Sequence, residues 1–260
     1  MSKVLEERAT IVSNVYVGPE LYVMTLHCPE IARCVLPGQF VHMQIPDMEG
    51  HILRRPFSVY AAPAMSGTID ILYRTVGFGS TLMTELAAGR EVSLVGPVGR
   101  GWEVPEGAKR VLLVGGGVGA APLFMLCEQC VAAGIDTTVV LGATTHKTLV
   151  CENRYKQVLG SLPRSATDDG SYGHAGFCTG LVDDALQKEE YDWVACCGPT
   201  PLMRLVAASA KRAGVACSVS MEQHMACGIG ACLGCIVDTV DGNKRACVDG
   251  PVFDAEKVVW

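Results

Sequence analysis

Four of the thirteen cysteines fall within the last forty residues of this 260-residue chain, and their spacing carries chemical information. Cys227, Cys232 and Cys235 form a C-x4-C-x2-C run, with Cys247 further along. Thiolates so spaced suit a plant-type [2Fe–2S] centre, a soft group whose irons are bridged by sulfide. Gly228, Gly230 and Gly234 lie among them. Such glycines let backbone N–H groups turn toward the sulfurs, stabilising an anionic centre and tuning its potential. A structural zinc site is the nearest alternative, but zinc favours paired C-x2-C knuckles and fits the four-residue first gap poorly. Unligated thiols are the third reading. His224, beside the run, could tune the centre's potential but reads as a solvent-facing or core residue, because histidine ligation of two-iron centres uses two histidines.

A second constellation suits a flavin. Arg55-Pro56-Phe57-Ser58 is followed by Leu72-Tyr73-Arg74, then Gly77-Phe78-Gly79-Ser80 and Gly96-Pro97-Val98-Gly99. An arginine stiffened by a following proline can pair with a pyrophosphate, and an aromatic ring can stack on a flavin. The Ser58 hydroxyl can reach the reactive flavin nitrogen. Gly79 and Ser80, opening a short helix, offer free N–H groups to phosphate. Each piece is weak alone, since an Arg-Pro at a strand end is ordinarily structural. The ordered set points to a flavin.

A third motif suits a dinucleotide. An apolar strand runs into Gly115-Gly116-Gly117-Val118-Gly119 and then a helix, a turn that lets a dinucleotide approach the backbone at a helix start. Close packing alone also produces such turns. Cys197-Gly198-Pro199, ending a later strand, lies on the same carboxyl edge of the sheet, where ligands bind. Cys197 is expected to pack near a nicotinamide without acting as a catalytic thiol. The ribose-binding acidic residue expected after the second strand is missing, and Thr144-Thr145-His146-Lys147 stands there. Lys147 could favour a 2′-phosphate but reads as a surface lysine, Asp168 and Asp169 could orient nucleotide hydroxyls but read as turn residues, and the choice between NAD and NADP stays open.

These residues need elements to hold them. Apolar or alternating runs at 10–17, 21–28, 39–45, 57–60, 69–76 and 91–95, punctuated by Gly and Pro, predict a small antiparallel β-barrel with a short helix over 80–88. After Pro105-Glu106-Gly107, strands at 110–114, 137–141, 193–197 and 216–220 alternate with helices at 118–133, 152–159, 181–188 and 201–213. That alternation predicts a doubly wound parallel sheet. The tail is too short to fold without a staple. The expected organisation is a flavin domain at 1–103, a nucleotide domain at 104–220 and a cluster module at 221–260.

Composition excludes several classes. Formal net charge is −6 and no Lys/Arg run exceeds a pair, which argues against nucleic acid or an anionic membrane as partner. The opening MSKVLEERAT carries charges where an export signal needs an apolar stretch. Together with the many cysteines this predicts a cytoplasmic protein with reduced thiols. Cys28, Cys34, Cys127, Cys130, Cys151, Cys178 and Cys217 read as small buried hydrophobes.

The three modules in this order resemble the ferredoxin-reductase superfamily and, within it, the electron-transfer subunits of bacterial NAD-dependent (type B) dihydroorotate dehydrogenases. Arg55-Pro56-Phe57-Ser58, residues 115–122, Thr167-Asp168-Asp169-Gly170-Ser171-Tyr172-Gly173, Met225-Ala226-Cys227-Gly228-Ile229-Gly230 and Cys247-Val248-Asp249-Gly250-Pro251-Val252-Phe253 carry the likeness, over essentially the whole chain. The resemblance implies that Arg55 to Ser58, Leu72 to Arg74, Gly79 and Ser80 hold FAD, and that Cys227, Cys232, Cys235 and Cys247 hold the cluster. Phe78 stands where relatives often have Lys, and Ser80 replaces a Thr. By the same resemblance, electrons pass from the FMN of a TIM-barrel catalytic partner through [2Fe–2S] and FAD to NAD+, in pyrimidine biosynthesis, within a heterotetramer of two of each chain. The substrate's own site is then expected on the partner. A reductase subunit serving another partner, of the ferredoxin-NADP oxidoreductase or sulfide dehydrogenase type, is the alternative, and a cluster-based redox sensor a more distant one.

Overall fold

The computed structural model describes residues 4–63 and 65–260, so the first three residues of MSKVLEERAT lie outside the described part. The flavin-motif half is built from β1 (Leu5–Gly18), β2 (Leu21–His27), α1 (Pro29–Cys34), β3 (Phe40–Gln44), β4 (Arg55–Ser58), β5 (Thr68–Arg74), α2 (Phe78–Met83) and β6 (Glu91–Val98). Its strands form one antiparallel sheet in the order β4-β3-β6-β1-β2-β5. Inward residues alternate along the strands, as the pleat requires, and Ile11, Met24, Leu26, Met43, Ile71 and Leu94 are buried in one core. Past β4 the chain meets the opposite edge, where the Tyr60 N–H bonds the Asp70 carbonyl at 2.8 Å and the Asp70 N–H bonds the Ala61 carbonyl at 2.8 Å.

Two local expectations change, and one unexpected helix appears. β1 starts at Leu5 rather than residue 10, because Glu6, Glu7 and Arg8 continue the alternation and pair with β6. The helix expected over 80–88 is α2, and it starts earlier. Ser80 is not its first residue but its third, reaching back over the Gly77 cap: the Ser80 Oγ accepts the N–H groups of Val76 at 2.8 Å and Gly77 at 3.1 Å. Helix α1 was not expected from the sequence, although Pro29 opens it with Glu30 in its first turn and Arg33 in its last. The Glu7 carboxylate, distant in sequence, accepts the N–H groups of Glu30 at 3.1 Å and Ile31 at 2.8 Å at its start.

The second half contains β7 (Arg110–Gly116), α3 (Phe124–Ala132), β8 (Asp136–Ala143), α4 (Glu152–Leu159), β9 (Arg164–Thr167), β10 (His174–Ala175), α5 (Thr179–Lys188), β11 (Trp193–Cys197), α6 (Thr200–Ala213) and β12 (Ala216–Ser220). Its sheet has the order β10-β9-β8-β7-β11-β12-β15. Every pair is parallel except the last, in which β15 (Val252–Asp254) runs antiparallel to β12. Leu113, Leu126 and Tyr155 share one core with α3 and α4, while Leu112, Val182 and Met203 share another with α5 and α6. Alternate residues of one central strand thus feed helices on opposite faces, a doubly wound sheet. Among the described residues no helix is long and apolar enough to cross a membrane.

The helix expected over 118–133 divides. A 3-10 turn spans Gly117–Leu123, and α3 begins only at Phe124. Pro122 lies inside the turn; lacking an N–H, it cannot give the bond that α geometry asks of it. In the tail, β13 (Ile236–Thr239) and β14 (Gly242–Arg245) make a hairpin, and β15 joins the large sheet. Strands β9, β10 and β13 to β15 carry too few residues to show a period in sequence.

Candidate functional site

The hairpin explains where the last cysteine sits. Ile236 pairs with Arg245, and the Ala246 N–H bonds the Cys235 carbonyl at 2.8 Å, bringing Cys247 back beside Cys235. Their sulfurs are 3.3 Å apart, and both residues are buried. Cys227 and Cys232 make a second pair: the Cys232 N–H points at the Cys227 Sγ at 3.4 Å, and the Gly234 N–H at the Cys232 Sγ at 3.4 Å. Cys232 is exposed and Cys227 half-buried. Among the described residues no three His, Cys, Asp or Glu side chains converge as a single-ion site. Two pairs of sulfurs, with amides aimed at them, fit a two-iron centre better than one tetrahedral zinc.

Backbone conformation makes this turn. Gly228 and Gly230 have φ of +69° and +80°, and an added Cβ on Gly230 would lie 2.5 Å from Val248. Arg245 braces it, donating from Nη1 to the Gly230 carbonyl at 3.3 Å, while the Asp249 carboxylate accepts the Arg245 N–H at 2.8 Å. Burial raises the Cys227 thiol, but the N–H groups of Ile229, Cys232 and Ala231 and the Cys232 thiol outweigh it and bring the group down to about 7. Cys247 is pushed up to about 12, first by burial and then by Cys235. Cys227 is thus readied for thiolate by amides, while Cys247 needs a cation to ionise it.

The turn rests on the flavin-motif sheet. Along β3, Val41 and Met43 face the core, and His42 projects from the other side against Gly228. His42 is fully buried, and neither ring nitrogen has a hydrogen-bond partner. An unpaired buried polar group costs about 1–3 kcal/mol. Burial is the main influence on the imidazole and lowers it, against an upward pull from the Arg54 and Cys227 carbonyls. His224, singled out in the sequence, is exposed. The histidine that matters was hidden inside an alternating strand, where its spacing matches any pleated position.

The flavin-motif residues gather on neighbouring elements. His42 is opposite Pro56, and Met43 opposite Arg55, so β4 lies one strand from the cluster turn. Arg55 to Ser58 are all half-buried. Arg55 donates to the Leu53 carbonyl at 2.7 Å. Tyr73 is buried, stacked on Tyr22 at 5.5 Å, with Phe57 edge-on at 6.3 Å. Arg74 is exposed and pairs with Glu20 at 2.7 Å. Leu72 is buried on the opposite side, toward the nucleotide half. Gly79 sits against Ile45 and Met48, where an added Cβ would lie 3.2–3.3 Å from their side chains. The two halves are tied by Arg154 of α4, which pairs with the buried Asp70 of β5 at 2.7 Å and lies 4.6 Å from the Tyr60 ring centre. No sequence signal marked that pair.

At the carboxyl edge of the parallel sheet the glycine turn meets residues 197–199. A Cβ on Gly119 would lie 2.5 Å from the Cys197 carbonyl oxygen, one on Gly115 2.7 Å from Ala120, and one on Gly116 would strike Leu202. Gly117, at φ +56°, faces open space. Pro199 is 3.2 Å from the position of a Gly116 Cβ, and Gly198 adopts φ +156°. Cys197 is half-buried and its thiol is pushed up to about 12 by burial, which disfavours its thiolate near neutral pH. The Asp168 N–H bonds the Ala143 carbonyl at 3.0 Å and the Asp169 N–H bonds the Thr144 carbonyl at 3.2 Å, so the acidic turn lies beside the end of β8. The Ser171 hydroxyl engages the Asp169 carboxylate at 2.6 Å, while Asp168 is exposed. His146 and Lys147 follow β8, and the His146 ring stacks on Tyr172 at 4.5 Å. Of the scattered cysteines, Cys34 is half-buried and the others are buried.

A flavin-motif antiparallel sheet, a doubly wound nucleotide sheet and a cysteine turn at their junction define an iron–sulfur flavoprotein of the ferredoxin-reductase type. Family comparisons agree. Residues 4–102 match the oxidoreductase FAD-binding domain, and residues 222–259 match the iron–sulfur cluster binding domain of dihydroorotate dehydrogenase B. The chain is 35% identical, over its full length and that of the relative, to the dihydroorotate dehydrogenase B (NAD(+)) electron transfer subunit of Desulforamulus reducens. It is 36% identical to that of Fusobacterium nucleatum over 97% of this chain and 98% of the relative. The protein therefore belongs to the family of dihydroorotate dehydrogenase B electron transfer subunits. Among solved structures, an NADH-dependent reduced ferredoxin-NADP oxidoreductase superposes with a TM-score of 0.88 at 30% identity, covering 100% of this chain and 92% of that one. The ferredoxin reductase of carbazole 1,9a-dioxygenase shares the fold, with a TM-score of 0.68 at 22% identity over 82% of this chain and 67% of that one.

Proposed function

We propose that this chain relays electrons between NAD+ and a catalytic dihydroorotate dehydrogenase subunit that carries FMN on a TIM barrel. The observation that carries the reading is the cysteine turn seated on His42, directly across β3 from Pro56 of the flavin strand. When bound, the iron–sulfur centre supplies one-electron transfer and FAD supplies the exchange between single electrons and the hydride that a nicotinamide accepts.

The chain's own residues position these groups. Cys227 and Cys232 would hold one iron at the exposed edge, and Cys235 with Cys247 the other, toward the interior. Arg55 to Ser58, Leu72 to Arg74, Gly79 and Ser80 would hold FAD. Ser80 already reaches back over the start of its helix, so the hydroxyl shapes the phosphate turn while the N–H groups beyond it meet the ligand. Gly117 is the position of the glycine turn open to a dinucleotide backbone, while Gly115, Gly116 and Gly119 bring that turn against Cys197, Gly198 and Pro199. Dinucleotide folds ordinarily take the ribose with a carboxylate after the second strand. Here the turn after the neighbouring strand β9 would supply it, through Asp168, and a carboxylate at that place would favour NAD over a 2′-phosphorylated nucleotide by like-charge repulsion.

The flavin half, read as residues 1–103, is on this view a barrel closed where Tyr60 and Ala61 meet Asp70. Residues 104–220 form the nucleotide domain and 221–260 the cluster module. We place the chain in the cytoplasm, within a heterotetramer of two electron-transfer and two catalytic subunits. The test is the purified chain alone. It is expected to pass electrons from NADH to an artificial acceptor and to leave dihydroorotate unchanged; dihydroorotate turnover without a partner would refute the assignment. The likeness to a ferredoxin-NADP oxidoreductase favours, as second reading, the same relay serving another partner. Co-purification with an FMN-bearing TIM-barrel protein discriminates between them.

A further inference from the structure

Among the described residues, His42 is the only one whose buried side-chain nitrogens or oxygens have no hydrogen-bond partner. Imidazole has at least one ring N–H in either tautomer and in the charged form; the Arg54 and Cys227 carbonyls lie near this one, but neither ring nitrogen reaches a partner at hydrogen-bonding geometry, so the buried donor is left unsatisfied. An apolar side chain of similar size would fill the space without that cost. What surrounds the ring is specific. His42 faces Pro56 of β4 and Val95 of β6 across the sheet. On its outer side lies Gly228, where an added Cβ would sit 2.5 Å from Nδ1 and 3.1 Å from Cγ. Gly228 also holds φ +69°, so both the conformation and the space at this position exclude a side chain. The ring is thus clasped between the flavin strand and the turn that begins at the first cysteine of the cluster run.

We propose that His42 is a positioning residue for the iron–sulfur centre, anchoring the Cys227-Gly228 turn on the flavin sheet and giving that turn a ring N–H when the four sulfurs are ligated. This rests on the functional reading above. Loading four thiolates with a two-iron, two-sulfide core brings net negative charge to a turn whose buried neighbour is an unpaired donor. Outer donors of this kind orient ligands and tune metal centres, and their loss weakens metal retention about 10–100-fold. A donor aimed at an anionic centre favours its more negative, reduced form, so removing it should make the centre harder to reduce.

The experiment compares the holoprotein with His42→Leu, His42→Gln and Gly228→Ala, purified without oxygen. Iron, sulfide and FAD content come first, then a redox titration followed by electron paramagnetic resonance, then iron release to a chelator. His42→Leu is expected to retain iron and FAD, to show a lower cluster potential with an altered resonance spectrum, and to release iron about tenfold faster. His42→Gln, which keeps an amide donor, should move both readouts back toward the parent. Gly228→Ala, which forces the turn away from the ring, should reproduce the Leu pattern and carries the test should the Leu variant fail to fold. Unchanged potential and release in iron-loaded His42→Leu would overturn the proposal alone, as would a Gln variant no better than Leu. A parent protein without iron would instead sink the functional reading itself.

Discussion

Two glycine-rich turns serve this molecule, and they use glycine differently. In the cysteine turn, Gly228 and Gly230 adopt positive φ and the chain that follows them aims the N–H groups of Cys232 and Gly234 at sulfur. The ligands there are side chains, so residue type and spacing announce the chemistry. In the turn after β7, Gly115, Gly116 and Gly119 are required because Ala120, Leu202 and Cys197 leave no room for a Cβ. Only Gly117 combines positive φ with open space. A ligand met by backbone leaves no side-chain signature, and most of the glycines that seemed to announce it are answering their protein neighbours. What a missing Cβ makes room for separates a binding glycine from a packing one.

The largest effect that could break this comparison is at the sulfurs. Cys235→Ala or Cys247→Ala should abolish iron and acid-labile sulfide, from about two of each per chain, whereas Cys217→Ala, buried in the nucleotide half, should leave both in place; metal analysis reads the difference. Next come the glycines. Gly119→Ala should cost about 2–3 kcal/mol in urea unfolding, because the clashing partner is the Cys197 backbone. Gly117→Ala should cost only about 1 kcal/mol, the strain of a left-handed residue, yet weaken NADH binding by more than Gly119→Ala does per unit of lost stability. Equal ratios would erase the distinction between the two kinds of glycine. The smallest expected change is in nucleotide choice: Asp168→Asn should raise the NADPH-to-NADH ratio of kcat/KM by roughly tenfold, the worth of about 1.4 kcal/mol of like-charge repulsion.

Much of the fold was legible because its signals are local and periodic. The strand–helix alternation after Pro105 and the cysteine spacing each needed only a short window. The antiparallel sheet could be read from alternating strands and turn residues, although β1 was longer than its apolar run because charged residues occupy its outward positions. The parts that stayed hidden depend on distant partners. Helix α1 is started by a carboxylate from β1, β15 exists only as an addition to β12, and Arg154 finds Asp70 across the halves. His42 belongs with these. As one more polar residue in a pleated strand it carries no signal, and it becomes informative only when Gly228 is seen against its ring.

The central claim is that nicotinamide, flavin and cluster communicate within this one chain. An ultraviolet–visible spectrum of the anaerobically purified protein, recorded before and after NADH, tests it directly. Bands of both an oxidised flavin and an iron–sulfur centre are expected at the start, and both should bleach on adding the nucleotide. A flavin that bleaches while the iron–sulfur absorbance persists, or a spectrum with no iron–sulfur contribution at all, would contradict the account.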